Sequence, residues 1–146
     1  MKLNFYRSKE SGSVDAGSGF IIRNDIGKLL AAGAIYMQTN DVNIAETRGL
    51  WEGLCWINYK LSAELVWVEG DSLNATNSLK GMIEGGGSNM MIGCRNLMWR
   101  LWSTKASHVF REANSVTDWL ANYGRISRVA RYWMANFSDE LIAIMQ

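Results

Sequence analysis

Three carboxylates in this 146-residue chain could do chemistry together: Glu46, Asp71 and Asp118. Each is expected near the end of a structural element. Glu46 falls near the start of a helix, Asp71 at the C-terminal end of a strand and Asp118 at the start of a last helix. Residues placed in this way can converge on one edge of a sheet. Clustered carboxylate oxygens are the usual ligands of Mg²⁺, a hard cation. Two such ions, about 3.5–4 Å apart, can clamp the attacking and leaving oxygens of a phosphodiester. Asp and Glu at element ends also act as helix caps or solvated charges. Spacing alone does not separate these roles.

The positioning elements follow from periodicity. Lys2 to Ser8 alternates as a strand, with Leu3 and Phe5 on one face. Lys9 to Gly17 reads as a loop, and Ser18 to Arg23 as a second strand. Asn24-Asp25-Ile26-Gly27 is a turn, with Gly27 free to take a positive φ. Lys28 to Met37 returns as a third strand, so these three form an antiparallel meander. A helix is expected over 44–60. Leu50, Leu54, Ile57 and Leu61 make its buried stripe. Gly49 and Gly53 weaken it by propensity and make sense if that face lies close against a sheet. Leu65 to Glu69 is a short strand expected to pair in parallel. Ser72 to Leu79 and Met90 to Ser103 read as helices, separated by a glycine-rich loop. Ser107 to Arg111 is a fifth strand. Ser115 opens the last helix, with Asp118 in its first turn, where the helix dipole favours a carboxylate. The expected fold class is α/β, a mixed five-stranded sheet with helices on both faces.

Composition narrows the function classes. Apolar residues make up 48% of the chain and charged residues 20%, as in ordinary globular proteins. One domain over 1–146 is expected. No run of about 18 apolar residues exists, so a membrane span is not expected. Cys55 and Cys94 form no CxxC motif and read as reduced thiols, and the N-terminus reads as a strand and not as a leader; both point to an intracellular location. Net charge is +1. It is unevenly spread: residues 95–132 hold seven Lys and Arg against Glu112 and Asp118. Such a local excess either attracts a polyanion or forms a solvated basic face.

Longer runs of residues carry a resemblance. They are Lys2-Leu3-Asn4, Ala16-Gly17-Ser18-Gly19, Ile22-Arg23-Asn24, residues 45–54 (Ala-Glu-Thr-Arg-Gly-Leu-Trp-Glu-Gly-Leu), residues 68–72 (Val-Glu-Gly-Asp-Ser) and residues 107–121, from Ser107-His108-Val109 to Trp119-Leu120-Ala121. In order and spacing the chain resembles the ribonuclease H family, in particular plant domains of retroelement origin. The resemblance implies a ribonuclease H-like three-layer fold. It also implies a two-metal site in which four carboxylates hold Mg²⁺ (or Mn²⁺) and cleave the RNA strand of an RNA–DNA hybrid. Glu46, Asp71 and Asp118 match three of the four as catalytic and metal-binding residues. The fourth belongs to a first-strand pattern Lys-Leu-Asn-x-Asp-Gly-Ser. This chain has Lys2-Leu3-Asn4-Phe5-Tyr6-Arg7-Ser8, so Tyr6 stands at the aspartate position and Arg7 at the glycine position.

That substitution bears on function. A phenol is neutral at physiological pH and cannot replace a metal-bridging carboxylate. The expectation is weakened Mg²⁺ affinity and impaired hydrolysis, hence a nucleic-acid-binding domain derived from a hybrid endonuclease. Asp15 is the nearest spare carboxylate but is expected in the following loop. Arg7 either pairs with the remaining carboxylates or points to solvent. Asn43 either contacts nucleic acid or caps the first helix. Arg111 could meet a phosphate, and Asn114 could meet nucleic acid or brace the turn before the last helix. His108, the only histidine, reads as structural. Trp99 and Trp102 read as core more readily than as a stacking surface. Two other functions stay open. One is a working two-metal hybrid ribonuclease that tolerates Tyr6. The other is a protein-interaction scaffold without nucleic acid, since function lives in sites and not in folds.

Overall fold

The computed structural model describes residues 1–61, 66–69 and 111–134. Among these residues five strands form one mixed sheet. They are β1 (Lys2–Lys9), β2 (Asp15–Arg23), β3 (Leu29–Gln38), β4 (Trp67–Glu69) and β5 (Arg131–Trp133). The spatial order is β4-β1-β2-β3-β5, with β1 and β4 parallel and every other pair antiparallel. The expected parallel pairing of the fourth strand is therefore present.

The meander forms because both of its turns satisfy their own backbone. In the second, Asn24 Oδ1 accepts from the amides of Ile26 (3.1 Å) and Lys28 (2.9 Å), and Gly27 takes φ +84°. The first turn is tighter than its composition suggested. Ser13 N–H donates to the Glu10 carbonyl, and β2 starts at Asp15 instead of Ser18.

Two helices sandwich the sheet. Helix α1 (Val42–Trp56) runs into a π-helical turn at Ile57–Leu61. It packs Leu50, Leu54 and Ile57 on Leu3, Phe5, Phe20, Ile22 and Val68. Helix α2 (Arg111–Ser127) packs Val116 and Leu120 on Ile21, Ala32, Ala34 and Trp133, on the opposite face. None of the described helices is long and apolar enough to cross a membrane.

Two expectations need correction. The last helix starts at Arg111, not Ser115. Arg111, Glu112 and Ala113 are good helix formers, and no proline stops the helix from extending upstream of Ser115. Asp118 thus lies in the helix interior and is not a first-turn carboxylate. Of the strand expected over Ser107–Arg111, residues 107–110 lie outside the described residues, and only its last residue, Arg111, is corrected, being helical. Strand β5 follows α2 and adds to the free edge of β3, pairing Ala32 with Trp133 and Ala34 with Arg131. The expected helices over 72–79 and 90–103 also lie outside the described residues.

β5 is tied to both layers. Tyr132 stacks on Trp56 with centroids 5.7 Å apart and donates to Glu52 Oε2 at 3.1 Å. Glu52 Oε1 in turn accepts from Arg48 at 2.9 Å. On the other face Trp133 meets Tyr123 edge-on at 5.8 Å.

Glycines let the three layers touch. A Cβ on Gly17 would lie 1.9 Å from the Ala121 carbonyl oxygen, and one on Gly53 2.3 Å from Leu3 Cδ1. The first obstacle is backbone and cannot rotate away. Gly17→Ala is therefore expected to cost about 1–3 kcal/mol or more, as overpacking does, read as a lower urea midpoint with an unchanged m-value.

Candidate functional site

The site is built where both helices cross one strand pair. Tyr6 of β1 is registered opposite Gly19 of β2. From one face, a Cβ on Gly49 of α1 would lie 3.1 Å from the Gly19 carbonyl oxygen and 3.4 Å from that of Tyr6. From the other, a Cβ on Gly19 would lie 2.7 Å from the Thr117 carbonyl oxygen of α2. Glu46 precedes Gly49 by one helical turn, so it shares the sheet-facing side of α1. It is 1% exposed. The adjacent Ala45 carbonyl accepts a buried hydrogen bond from Ser18 Oγ, which pins the first turns of α1 to β2. Asp118 follows Thr117 directly and is exposed.

Backbone at this crossing thus comes from Tyr6 and Gly19, from Gly49 one turn after Glu46 on α1, and from Thr117 next to Asp118 on α2. Asp71 lies outside the described residues. Strand β4 ends on Glu69, whose register partner is Asn4. Tyr6 and Asp71 each follow that pair by two residues in sequence.

The other expected residues sort as follows. Arg7 is partly buried, and its guanidinium carbon sits 5.6 Å from the Tyr6 ring centroid. Among the described residues it forms no ion pair with Glu46 or Asp118. Asn43 is the second residue of α1 and not its cap. The capping position belongs to Asp41, whose carbonyl accepts from Ala45 N–H. Arg111 and Asn114 both lie in the first turn of α2. His108, Trp99, Trp102 and Cys94 lie outside the described residues.

Asp15 does not join the crossing. It opens β2, four residues or about 13 Å along the strand from Gly19. There it accepts from Tyr36 OH at 2.6 Å and from Arg128 at 2.9 Å. The Tyr36 hydrogen bond, aided by the Arg128 and Arg125 charges, holds its carboxyl below the usual range, and the same bond pushes the Tyr36 phenol up.

A second polar cluster joins β1 to α2 further along both elements, and residue-by-residue reading missed it. Arg125 Nε donates to Ser8 Oγ at 2.8 Å, and Ser8 Oγ donates to Asn122 Oδ1 at 2.5 Å. Ser8 and Asn122 are 114 residues apart in sequence. The only sequence signal was Arg125's membership of the basic stretch.

Among the described residues no three acids, histidines or cysteines are grouped as a cation would require. Glu46 is buried, Asp118 is exposed, and Tyr6 is a phenol. The described donors do not make a two-metal centre, and no catalytic step is derived through one.

Residues 6–124 match the family described as reverse transcriptase-like. The chain belongs to that family. Its fold is that of ribonuclease H. The ribonuclease H1 of the halophilic archaeon Halobacterium salinarum superposes with a TM-score of 0.70 at 20% identity, covering 86% of this chain and 97% of that one. The N-terminal ribonuclease H domain of a Mycobacterium tuberculosis protein, solved as a fusion with maltose-binding protein, gives 0.69 at 21% identity, covering 86% and 94%. The LC11 ribonuclease H1, solved in complex with an RNA/DNA hybrid, gives 0.67 at 21% identity, covering 87% and 97%. No curated protein matches the chain significantly. The reverse transcriptase-like match ends before β5, which is therefore an addition to the matched segment.

Two pH effects follow for this reverse transcriptase-like domain. Asp15 has a folded pKa below its ordinary 3.8, so the stability it contributes is present above that value and lost as pH falls through the folded pKa. Tyr36→Phe should raise the Asp15 pKa, seen as a shifted carboxyl titration by NMR. Burial, reinforced by the Glu52 charge, pushes Tyr132 from 10.0 up to about 12. Stability from this group is complete below pH 10 and lost as pH rises through 12. Tyr132 should therefore stay protonated at pH 11, and Tyr132→Phe should remove its late contribution to the phenolate absorbance titration while leaving that of Tyr36.

Proposed function

We propose that this chain is a ribonuclease H-like domain that binds RNA–DNA hybrid or related nucleic acid, with hydrolysis impaired at Tyr6. The observation that carries the reading is the crossing itself. Tyr6 pairs with Gly19 where Gly49, one turn after Glu46, and Thr117, next to Asp118, approach from opposite faces, which supports reading the three as one site. A cleavage centre would want a negative ligand there, and this chain supplies a neutral ring with Arg7 beside it. With Asp71, the remaining acids make a set of three, short of one charge. Mg²⁺ or Mn²⁺ would polarise the scissile phosphate if held, and the missing carboxylate is expected to weaken that hold.

Binding does not need the metal. Phosphate neutralisation by Lys and Arg supplies most affinity for nucleic acid, and the basic stretch over 95–132 provides the charges. That one structural neighbour was solved with an RNA/DNA hybrid makes the hybrid the first ligand to try. The partner is expected to be nucleic acid before protein.

The test is cleavage of an end-labelled RNA–DNA hybrid with Mg²⁺ and, separately, Mn²⁺. The natural chain should be inert or nearly so. Tyr6→Asp should gain metal-dependent cutting on the order of 10²-fold or more, the scale of one well-placed charge in a transition state. Adding Asp71→Asn to Tyr6→Asp should abolish it. Cutting by the natural chain that Asp71→Asn stops would overturn the impairment. Binding is read separately: negligible affinity for the hybrid at low salt would remove the nucleic-acid reading.

A further inference from the structure

The polar cluster next to the crossing holds a guanidinium in a way that helix packing does not require. Arg125 is 21% exposed. Its Nε is engaged by Ser8 Oγ at 2.8 Å and its Nη2 by Asn122 Oδ1 at 3.4 Å. Both partners are neutral, so the arginine is oriented without being neutralised. Its Nη1 makes one ion pair, with Glu10 Oε2 at 3.5 Å, while Asp15 feels its charge at longer range. Glu10 sits on the β1–β2 turn and is 70% exposed. An exposed pair at that distance is weak and easily exchanged.

The neighbouring arginine shows the contrast. Arg128 lies 2.9 Å from Asp15, and Asp15 is itself fixed by the Tyr36 hydroxyl at 2.6 Å. That pair is doubly anchored. The Arg125 pair is anchored on the cation side only.

Position links the arginine to the crossing. Ser8 follows Tyr6 by two residues on the same face of β1, about 7 Å along the strand. Asn122 and Arg125 follow Asp118 by four and seven residues on one side of α2, about 6 and 10.5 Å along its axis. An extended chain laid across Tyr6 and Asp118 in this direction reaches Arg125 next.

We infer that Arg125, held by Ser8 and Asn122, is a phosphate-binding position for the nucleic-acid backbone, and that the Glu10 carboxylate occupies it as a displaceable internal anion. The guanidinium fork suits a phosphate, presenting two parallel N–H groups to two oxygens. A carboxylate offers the same paired oxygens with less charge, so it can hold the position in the free protein and yield to a phosphodiester. Ser8 and Asn122 are positioning residues, since they act through Arg125. The inference rests on the proposed nucleic-acid binding and goes beyond it, by naming one contact and an internal competitor for it.

The test measures affinity for a fluorescent RNA–DNA hybrid across a salt series, with binding in place of cleavage as the readout. Arg125→Gln should weaken binding and make the slope of log K against log salt shallower by about 1, the signature of one lost phosphate contact. Glu10→Gln alters an exposed turn residue and should leave the fold intact. It should tighten binding about 1.5- to 5-fold, the range of an exposed ion pair released. Thermal melts check that both variants fold. If the natural chain binds and Arg125→Gln keeps its affinity and slope, this inference fails alone. A Glu10→Gln chain that binds no tighter also overturns it, because no internal competitor has then been removed. If the natural chain binds no hybrid at all, the proposed function fails and takes this inference with it.

Discussion

The structure depends on how closely two helices can approach one strand pair. At Tyr6–Gly19, α1 comes down on one face and α2 on the other, so close that a Cβ on Gly49 or Gly19 would meet backbone oxygens at 3.1 and 2.7 Å. Side chains at Gly19 or Gly49 would hold the layers apart. Close packing of this kind behaves like an organic solid, so a displacement at the crossing is transmitted and not absorbed. The carboxylates on the two helices are positioned by that contact. Site geometry and core stability are thus one constraint, and the glycines that weaken α1 by propensity are what make the approach possible.

Much of this was legible in the sequence because it is local. Alternation marked the three meander strands, and Asn24 to Gly27 announced its own turn. Leu50, Leu54 and Ile57 declared the buried side of α1, and Gly49 and Gly53 its close docking. Misreadings came where local signals compete or pairing is long-range. Ser115 is a good cap residue, yet the preceding Arg-Glu-Ala run is better helix, and the helix took it. Strand β5 is three residues long, too short for any periodicity, and only its pairing with β3 identifies it. The resemblance named three candidate acids, of which Glu46 and Asp118 lie within the described residues. The Ser8–Asn122–Arg125 cluster joins opposite ends of the chain and had no local pattern to betray it.

The turn joining β1 to β2 emerges as more than a connection. It carries Glu10, with Asp15 just beyond it, against Arg125 and Arg128 near the end of α2. That arrangement lowers the field of a basic surface in the free protein. It screens the arginines unequally, because only Asp15 is itself fixed by a further hydrogen bond. Specificity and encounter rate in charged interfaces are set by such local balances more than by net charge, which here is only +1.

The location of β5 bears on where the domain ends. The family-matched segment stops at residue 124, inside α2, while Ala32, Gly33 and Ala34 of β3 hydrogen-bond with residues 131–133. A chain trimmed at the family boundary would bare that strand edge and the aromatic surface beneath Tyr132 and Trp133. An uncovered edge beside exposed apolar side chains is a template for pairing with other copies. Among the described residues the short strand after the last helix thus covers the outer edge of β3, the kind of edge that pairs with other chains when left bare.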